Sequence, residues 1–247
     1  MSNNNLHAIG VMSGTSLDGI DVSYVSSNGK SLFRHNCSSL YKFRESTRSK
    51  INTLVNNFSK NKNSISSIIE CENLVSEDYV IALRKFIKYN NIKKIDLVAL
   101  HGQTIFHSSK YKSSIQLCNS KYIAEKINRL IINDFRQKDL LNNGEGAPLV
   151  PIFHKLLINK LKIKKPCSFI NIGGISNITT LDSKNRMIAY DMGPGMCLSD
   201  QYMRIFFNKK YDYFGRLASK GKVIEKLLDK LMNNEFVYKK PPKSTSV

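Results

Sequence analysis

Residues 10–22 read GVMSGTSLDGIDV, and this stretch decides the reading of the fold. Apolar residues run into it from Leu6 to Met12 and leave it from Ile20 to Ser26, with a Gly/Ser/Thr/Asp turn between them. Two β-prone runs joined through glycines predict a hairpin at the start of the chain. A third strand is expected around Lys30–Cys37. Helix-spaced apolar residues then predict helices over Glu45–Phe58 and Ser64–Tyr89, the second carrying Ile68, Ile69, Val75, Val80, Leu83 and Phe86–Ile87. Ile95–Leu100 has the makeup of a buried strand running into His101-Gly-Gln-Thr. Further strands are expected at Ser113–Leu117 and Arg129–Asn133, with a helix from Lys121 to about Asn128 between them.

A turn-rich segment, Asn142–Pro148, precedes a helix over about Leu149–Lys160 and a Lys-rich link ending at Pro166. The pattern then restarts: a strand at Cys167–Ile172, the pair Gly173-Gly174, strands at Ser176–Leu181 and Met187–Tyr190, and helices over about Met196–Phe207 and Lys222–Asn233. Strand, glycine turn, strand occurs twice, which predicts two related α/β halves divided near Lys160–Pro166, as residues 1–162 and 163–247.

The 247 residues carry 38 Lys+Arg against 19 Asp+Glu, a net charge of +19, with 41% hydrophobic residues. That apolar content excludes wholesale disorder. The charge has the sign of a nucleic-acid binder, but Lys recurs in short runs mixed with Asn, Ile and Ser, at Lys60–Asn63, Lys93–Lys94, Lys160–Lys165, Lys209–Lys210 and Lys239–Lys243. No recognised nucleic-acid motif accompanies it. A solvated surface coloured by AT-rich coding is the expectation, with no nucleic-acid partner. The N-terminal sequence lacks a secretory pattern, and no run approaches the roughly 18 apolar residues of a membrane span. The five cysteines (37, 71, 118, 167 and 197) show neither a C-x-x-C pair nor zinc-ligand spacing. Reduced thiols in a cytoplasmic protein are expected.

Three glycine-bearing segments are candidates for chemistry. In Gly14-Thr15-Ser16-Leu17-Asp18-Gly19-Ile20-Asp21, the glycines permit close backbone approach to a ligand and the hydroxyls suit phosphate oxygens. Asp18 and Asp21 are of the type that holds a hard cation. It is not a Walker loop, and the same residues also suit a plain hairpin turn. Asn171–Asn177 is a second such turn. In Tyr190-Asp191-Met192-Gly193-Pro194-Gly195, an acid at an expected strand end precedes a helix start, a place for a catalytic carboxylate or for an N-cap. The helix N-terminus would favour an anion. His101, Gln103 and Thr104 emerge from the Ile95–Leu100 strand, and Asp134 and Arg136 share a face if extended. Those two can pair, or Arg136 can grip a substrate carboxylate. The Asn143–Pro148 loop adds a wall. No nucleophile triad is legible.

In this order the segments resemble one family closely, the anhydro-N-acetylmuramic acid kinases (AnmK). The resemblance rests on GVMSGTSLDGIDV at 10–22, HGQTI at 101–105, Asp134–Arg136 with Gly146–Pro151, NIGGISNI at 171–178 and Asp191–Gly195, and extends to Gly215–Leu228 and Pro242–Thr245. It implies an actin-like and hexokinase-like (ribonuclease H-like) ATPase fold, two α/β domains with a nucleotide cleft between them. The implied reaction uses ATP and Mg²⁺ to turn 1,6-anhydro-N-acetylmuramic acid and water into N-acetylmuramic acid 6-phosphate, in cell-wall recycling. By similarity, Gly14–Asp21 is the ATP phosphate loop and Asp191 the base that activates water. His101, Gln103, Thr104, Asp134 and Arg136 become sugar-pocket residues, and the metal ligands stay unassigned. A homodimer is compatible with the resemblance.

Glu145 stands where the family usually has Gln, and Met196 where it usually has Asn. Family chains continue beyond the Pro-Lys-Ser-Thr that ends here at Thr245, so the expectation is a second domain that is incomplete. The alternative reading is an inactive remnant that at most binds sugar.

Overall fold

The computed structural model describes residues 5–30, 33–58 and 64–245. The Gly14 turn joins two antiparallel strands, β1 (Leu6–Ser13) and β2 (Ile20–Ser27), in register from Leu6↔Ser27 to Met12↔Asp21. β3 (Phe33–Tyr41) pairs along β2 and runs four residues past the expected strand; residues 31 and 32 lie outside the described set. Two helices follow, α1 (Glu45–Phe58) and α2 (Ile65–Tyr89). The Ser64 hydroxyl accepts the Ser67 N–H at 3.2 Å and caps α2. The chain then returns as β4 (Leu97–Ser108), parallel to β1. β5 (Ser113–Leu117) folds back on the far end of β4, α3 (Ser120–Ile127) follows, and β6 (Ile131–Ile132) pairs with the near end. The sheet runs β3-β2-β1-β4-β5, with β6 also on β4. The strand expected over residues 129–133 shrinks to two residues.

Alternate residues of the central strands, Ile9, Val11, Ile20, Val22, Val98 and Leu100, are buried in one core. α2 contributes Val75, Tyr79, Leu83 and Phe86 to the same core, and the i, i+4 spacing of the first three forms a single stripe. α1 adds Ile51 and Leu54. Inside this apolar layer the Ser13 and Tyr79 hydroxyls share a hydrogen bond of 2.6 Å, tying the end of β1 to α2. Cys118 lies at its margin, and burial pushes that thiol up to about 12.

A short helix, α4 (Gln137–Leu141), closes this part of the chain. The fold divides into two compact units, Met1–Gly144 and Glu145–Val247. Sequence reasoning put the divide about eighteen residues later, because it grouped the helix α5 (Pro151–Lys160) with what precedes it. α5 instead packs on the second sheet, formed by β7 (Cys167–Ile172), β8 (Ile175–Leu181) and β9 (Met187–Pro194) in that order, all antiparallel. The His154 ring stacks on Phe169 at 4.7 Å, and its Nδ1 lies 2.9 Å from Thr179 Oγ1. On the opposite sheet face, Ile170, Ile172 and Ile188 are 59%, 62% and 55% exposed. Beyond β9 come α6 (Cys197–Phe207), two 3₁₀ turns at Tyr213–Gly215 and Ala218–Lys220, α7 (Glu225–Met232) and α8 (Glu235–Tyr238). No helix among the described residues is long and apolar enough to cross a membrane. All five cysteines are free thiols.

Candidate functional site

The Gly14–Asp21 turn is built from both sides. Leu17 takes a left-handed conformation (φ 57°), its N–H donating to Gly14 O at 3.1 Å. Its side chain is 4% exposed and Ile20 is fully buried, so both anchor the turn in the core. A ligand would meet the backbone and the exposed Thr15, Ser16, Asp18 and Asp21. At Gly19 a Cβ would stand 2.7 Å from the Tyr41 carbonyl, so β3 lies too close for a side chain there. Gln103 supports the turn from below: it is wholly buried, and its Nε2 donates to Gly14 O and Thr104 O, both at 3.3 Å. Its Oε1 is buried without a hydrogen-bond partner. Burial gives Gln103 the geometry of a scaffold for the turn rather than of a residue facing solvent.

His101 and Arg136 come together although 35 positions separate them. The Arg136 guanidinium donates to His101 Nε2 from Nε (3.1 Å) and Nη2 (2.8 Å). His101 Nδ1–H donates in turn to Gly102 O at 2.8 Å, which fixes the neutral Nδ1–H tautomer. Burial, and then the Arg136 charge, hold the His101 imidazole down at about 4. Gly102 permits this because its φ is +81° and β5 crosses closely, a Cβ there standing 2.9 Å from that of Gln116. Thr104 is half-buried, with Gln116 Nε2 at 3.4 Å from its hydroxyl. Asp134 is exposed at a left-handed position, φ 60°, so the extended geometry expected for the Asp134–Arg136 pair is absent.

In the second unit, Asp191 lies within β9 and is 5% exposed. Sequence reasoning ended this strand at Tyr190; it continues to Pro194 because a bulge is inserted between two correctly paired residues. Asn177 pairs with Asp191 and Ser176 with Gly193, so Met192 is the extra residue. Along the outer edge of β9, Asp191 N–H donates to Lys243 O (3.0 Å) and Thr245 N–H to Asp191 Oδ2 (3.0 Å). Ser244 Oγ donates to Glu145 Oε2 at 2.8 Å, a bond that a glutamine at 145 could accept equally. Residues 243–245 thus border Asp191, a neighbourhood that residue spacing did not reveal; the hydroxyls of the Pro-Lys-Ser-Thr block were the available signal.

The chain entering α6 is held by the β7–β8 turn. Gly195 and Cys197 N–H groups donate to Gly174 O (2.8 and 3.2 Å), and Met196 N–H donates to Gly173 O (2.8 Å). The β7–β8 glycine turn thus takes the two amides that lead into α6 and the first amide of the helix itself, that of Cys197. The approach is so close that a Cβ on Gly195 would stand 2.2 Å from Gly173 O. Among the described residues no three His, Cys, Asp or Glu side chains gather into a metal cluster.

The profile of the family described as Anhydro-N-acetylmuramic acid kinase matches residues 6–247. The protein of that name from Pelagibacter ubique (strain HTCC1062) is 35% identical over 232 residues, 92% of this chain and 62% of its own length. Its counterpart from Rhodopseudomonas palustris (strain ATCC BAA-98 / CGA009) is 34% identical over 242 residues, 96% of this chain and 66% of its own. The chain thus spans a little under two thirds of the length of these relatives. Among solved structures, a reductive activator for corrinoid, iron-sulfur protein is similar with a TM-score of 0.43 and 10% identity, over 78% of this chain and 32% of that one. With a profile match that takes in both sheets, the Gly14 turn, the His101–Arg136 pair and Asp191, this chain belongs to the anhydro-N-acetylmuramic acid kinase family, AnmK.

Proposed function

We propose that the protein phosphorylates 1,6-anhydro-N-acetylmuramic acid with ATP, opening the anhydro ring with water to give N-acetylmuramic acid 6-phosphate. The observation that carries this reading is Asp191: a carboxylate buried to 5% exposure, held by a backbone N–H at 3.0 Å, in a chain of this family. In the reaction, water attacks the anomeric carbon and gives its proton to Asp191. The bond from that carbon to the 6-oxygen breaks, and the 6-oxygen takes the γ-phosphoryl group as ADP leaves. The proton is later released to solvent. A carboxylate within reach of the water suits the base role.

The Gly14–Asp21 turn suits the ATP phosphates, through its backbone and the exposed Thr15 and Ser16 hydroxyls. Mg²⁺ is commonly held by one or two carboxylates together with substrate phosphates, and the exposed Asp18 and Asp21 fit that donor set. When bound, the ion would neutralise phosphate charge. Arg136, oriented by neutral His101, is suited to the sugar's lactyl carboxylate, with Thr104 and Asp134 as further sugar contacts. Gln103 holds the phosphate turn in place. The strand order β3-β2-β1-β4, three antiparallel strands followed by a parallel return, supports the actin-like, ribonuclease H-like reading of the first unit. Two domains with a cytoplasmic location and a homodimeric assembly complete the proposal.

The test is direct. The purified chain is incubated with ATP, Mg²⁺ and the anhydro sugar, and the 6-phosphate is followed by mass spectrometry. Asp191→Asn should lower turnover at least about a hundredfold, the lower range for loss of a general base. Sugar binding by calorimetry without any product from the wild-type chain would favour the alternative, a sugar-binding remnant.

A further inference from the structure

Lys243 is 4% exposed, although it carries an ammonium group. Buried lysines are rare unless their charge is partnered. Here Nζ donates to Phe236 O (2.7 Å) and Val237 O (3.1 Å) on α8. The same ammonium lies 4.6 Å from the centroid of the Phe236 ring and 6.0 Å from that of Tyr190. Carbonyls in the last turn of a helix have no intrahelical donor, and a cation between two aromatic faces is further stabilised. Each end of this arrangement points to Asp191. Tyr190 immediately precedes it on β9, Lys243 O accepts its N–H, and two residues on, Thr245 N–H holds its carboxylate.

We propose that Lys243 is the positioning residue of Asp191. Its ammonium, sunk between Phe236 and Tyr190, pins residues 243–245 to the outer edge of β9, so that Thr245 N–H fixes the orientation of the Asp191 carboxylate. The Ser244–Glu145 hydrogen bond is a second tether on the same segment. The lysine, buried beneath this segment, acts through the backbone it anchors. This proposal rests on the reading of Asp191 as the base.

Three variants of the full chain test it: Lys243→Met, Lys243→Arg and Thr245→Pro, the last deleting the N–H itself. Backbone hydrogen exchange is read at Asp191 and Thr245, with the β8 amides as the control for an intact sheet. Phosphoryl transfer is read as kcat and KM separately. Lys243→Met should speed exchange at Thr245 about tenfold and lower kcat about tenfold, the effect of one hydrogen bond to a charged acceptor. KM for ATP and sugar should stay within about twofold. Lys243→Arg, which keeps charge and donors, should recover most of kcat. Thr245→Pro should lower kcat as much as Lys243→Met, and the double variant no further, because both act through one contact.

Unchanged Thr245 exchange in Lys243→Met overturns the proposal, as do penalties that multiply in the double variant. If Lys243→Met also exposes the β8 amides, Thr245→Pro decides, and a kcat equal to wild type overturns the proposal. Absence of phosphoryl transfer in the wild-type chain would refute the kinase reading instead, and the exchange comparison would still judge the anchoring.

Discussion

Acid should weaken the first unit through a single side chain. In the unfolded chain an imidazole titrates near 6.5, about its unperturbed value; in the fold, burial and the Arg136 charge hold His101 at about 4. Above roughly pH 6.5 neither state carries the proton, and the His101 contribution to stability is constant. Between about 6.5 and 4 only the unfolded chain binds it, so stability falls by about 1.4 kcal/mol for each unit of acidification. The total is about 3 kcal/mol, a large share of the 5–15 or so kcal/mol typical of a domain. Below about 4 the folded state is protonated too and the slope disappears. Urea unfolding between pH 7.5 and 4.5 measures this, with tyrosine fluorescence as the probe, since the chain has 11 Tyr and no Trp. Exchange of the β4 amides assigns the loss to the first unit. His101→Gln does not titrate, so the stability difference between the two proteins should shift by about 3 kcal/mol across the acid range while carboxylate effects cancel. Arg136→Met should shrink the shift by removing the second cause. Parallel stability curves for wild type and His101→Gln would refute the reasoning.

Gly195→Ala should destabilise the second unit by roughly 2–3 kcal/mol, because a methyl 2.2 Å from Gly173 O forces backbone to move. Gly10→Ala, with nothing within 4 Å, is the control and should stay within about 0.5 kcal/mol in the same denaturation experiment. Ser13→Ala and Tyr79→Phe should each cost about 1–2 kcal/mol by orphaning the other buried hydroxyl. The double variant should cost less than their sum, and a double-mutant cycle with no coupling would argue against the bond.

The first unit was largely legible in the sequence because its signals are local. The Glu45–Phe58 helix and the Ser113–Leu117 strand fall where their periodicity places them, and the 25-residue α2 carries one clear apolar stripe above a serine cap. The losses came where distant segments decide. Arg129–Asn133 is apolar enough for a strand, but its partner β4 offers it pairing only at Val98 and Ala99. β9 outlasts its apolar run because β8 and residues 243–245 line its two sides, and neither neighbour is visible from composition. The Gly173-Gly174 pair looked like a ligand turn, whereas its carbonyls are spent on the start of α6. For the site, residue types near the expected strand ends made His101, Arg136 and Asp191 candidates, although β4 runs on through His101 and β9 through Asp191. The side-chain roles of Gln103, Leu17 and Ile20 needed burial to be seen, since a turn residue that faces inward has the same spelling as one that faces a ligand.

The contact between Thr245 and Asp191 bridges 54 positions, and it orders events during synthesis. All six strands of the first sheet are complete by residue 132, so that sheet has its full hydrogen-bonding complement well before the rest of the chain has left the ribosome. Domains generally fold as units, N-terminal first. Asp191 emerges with β9 but receives the N–H that orients its carboxylate only once residue 245 has been added. A nascent chain that stops short of residue 245 therefore carries the complete first sheet while Asp191 still lacks one of the hydrogen bonds to its carboxylate.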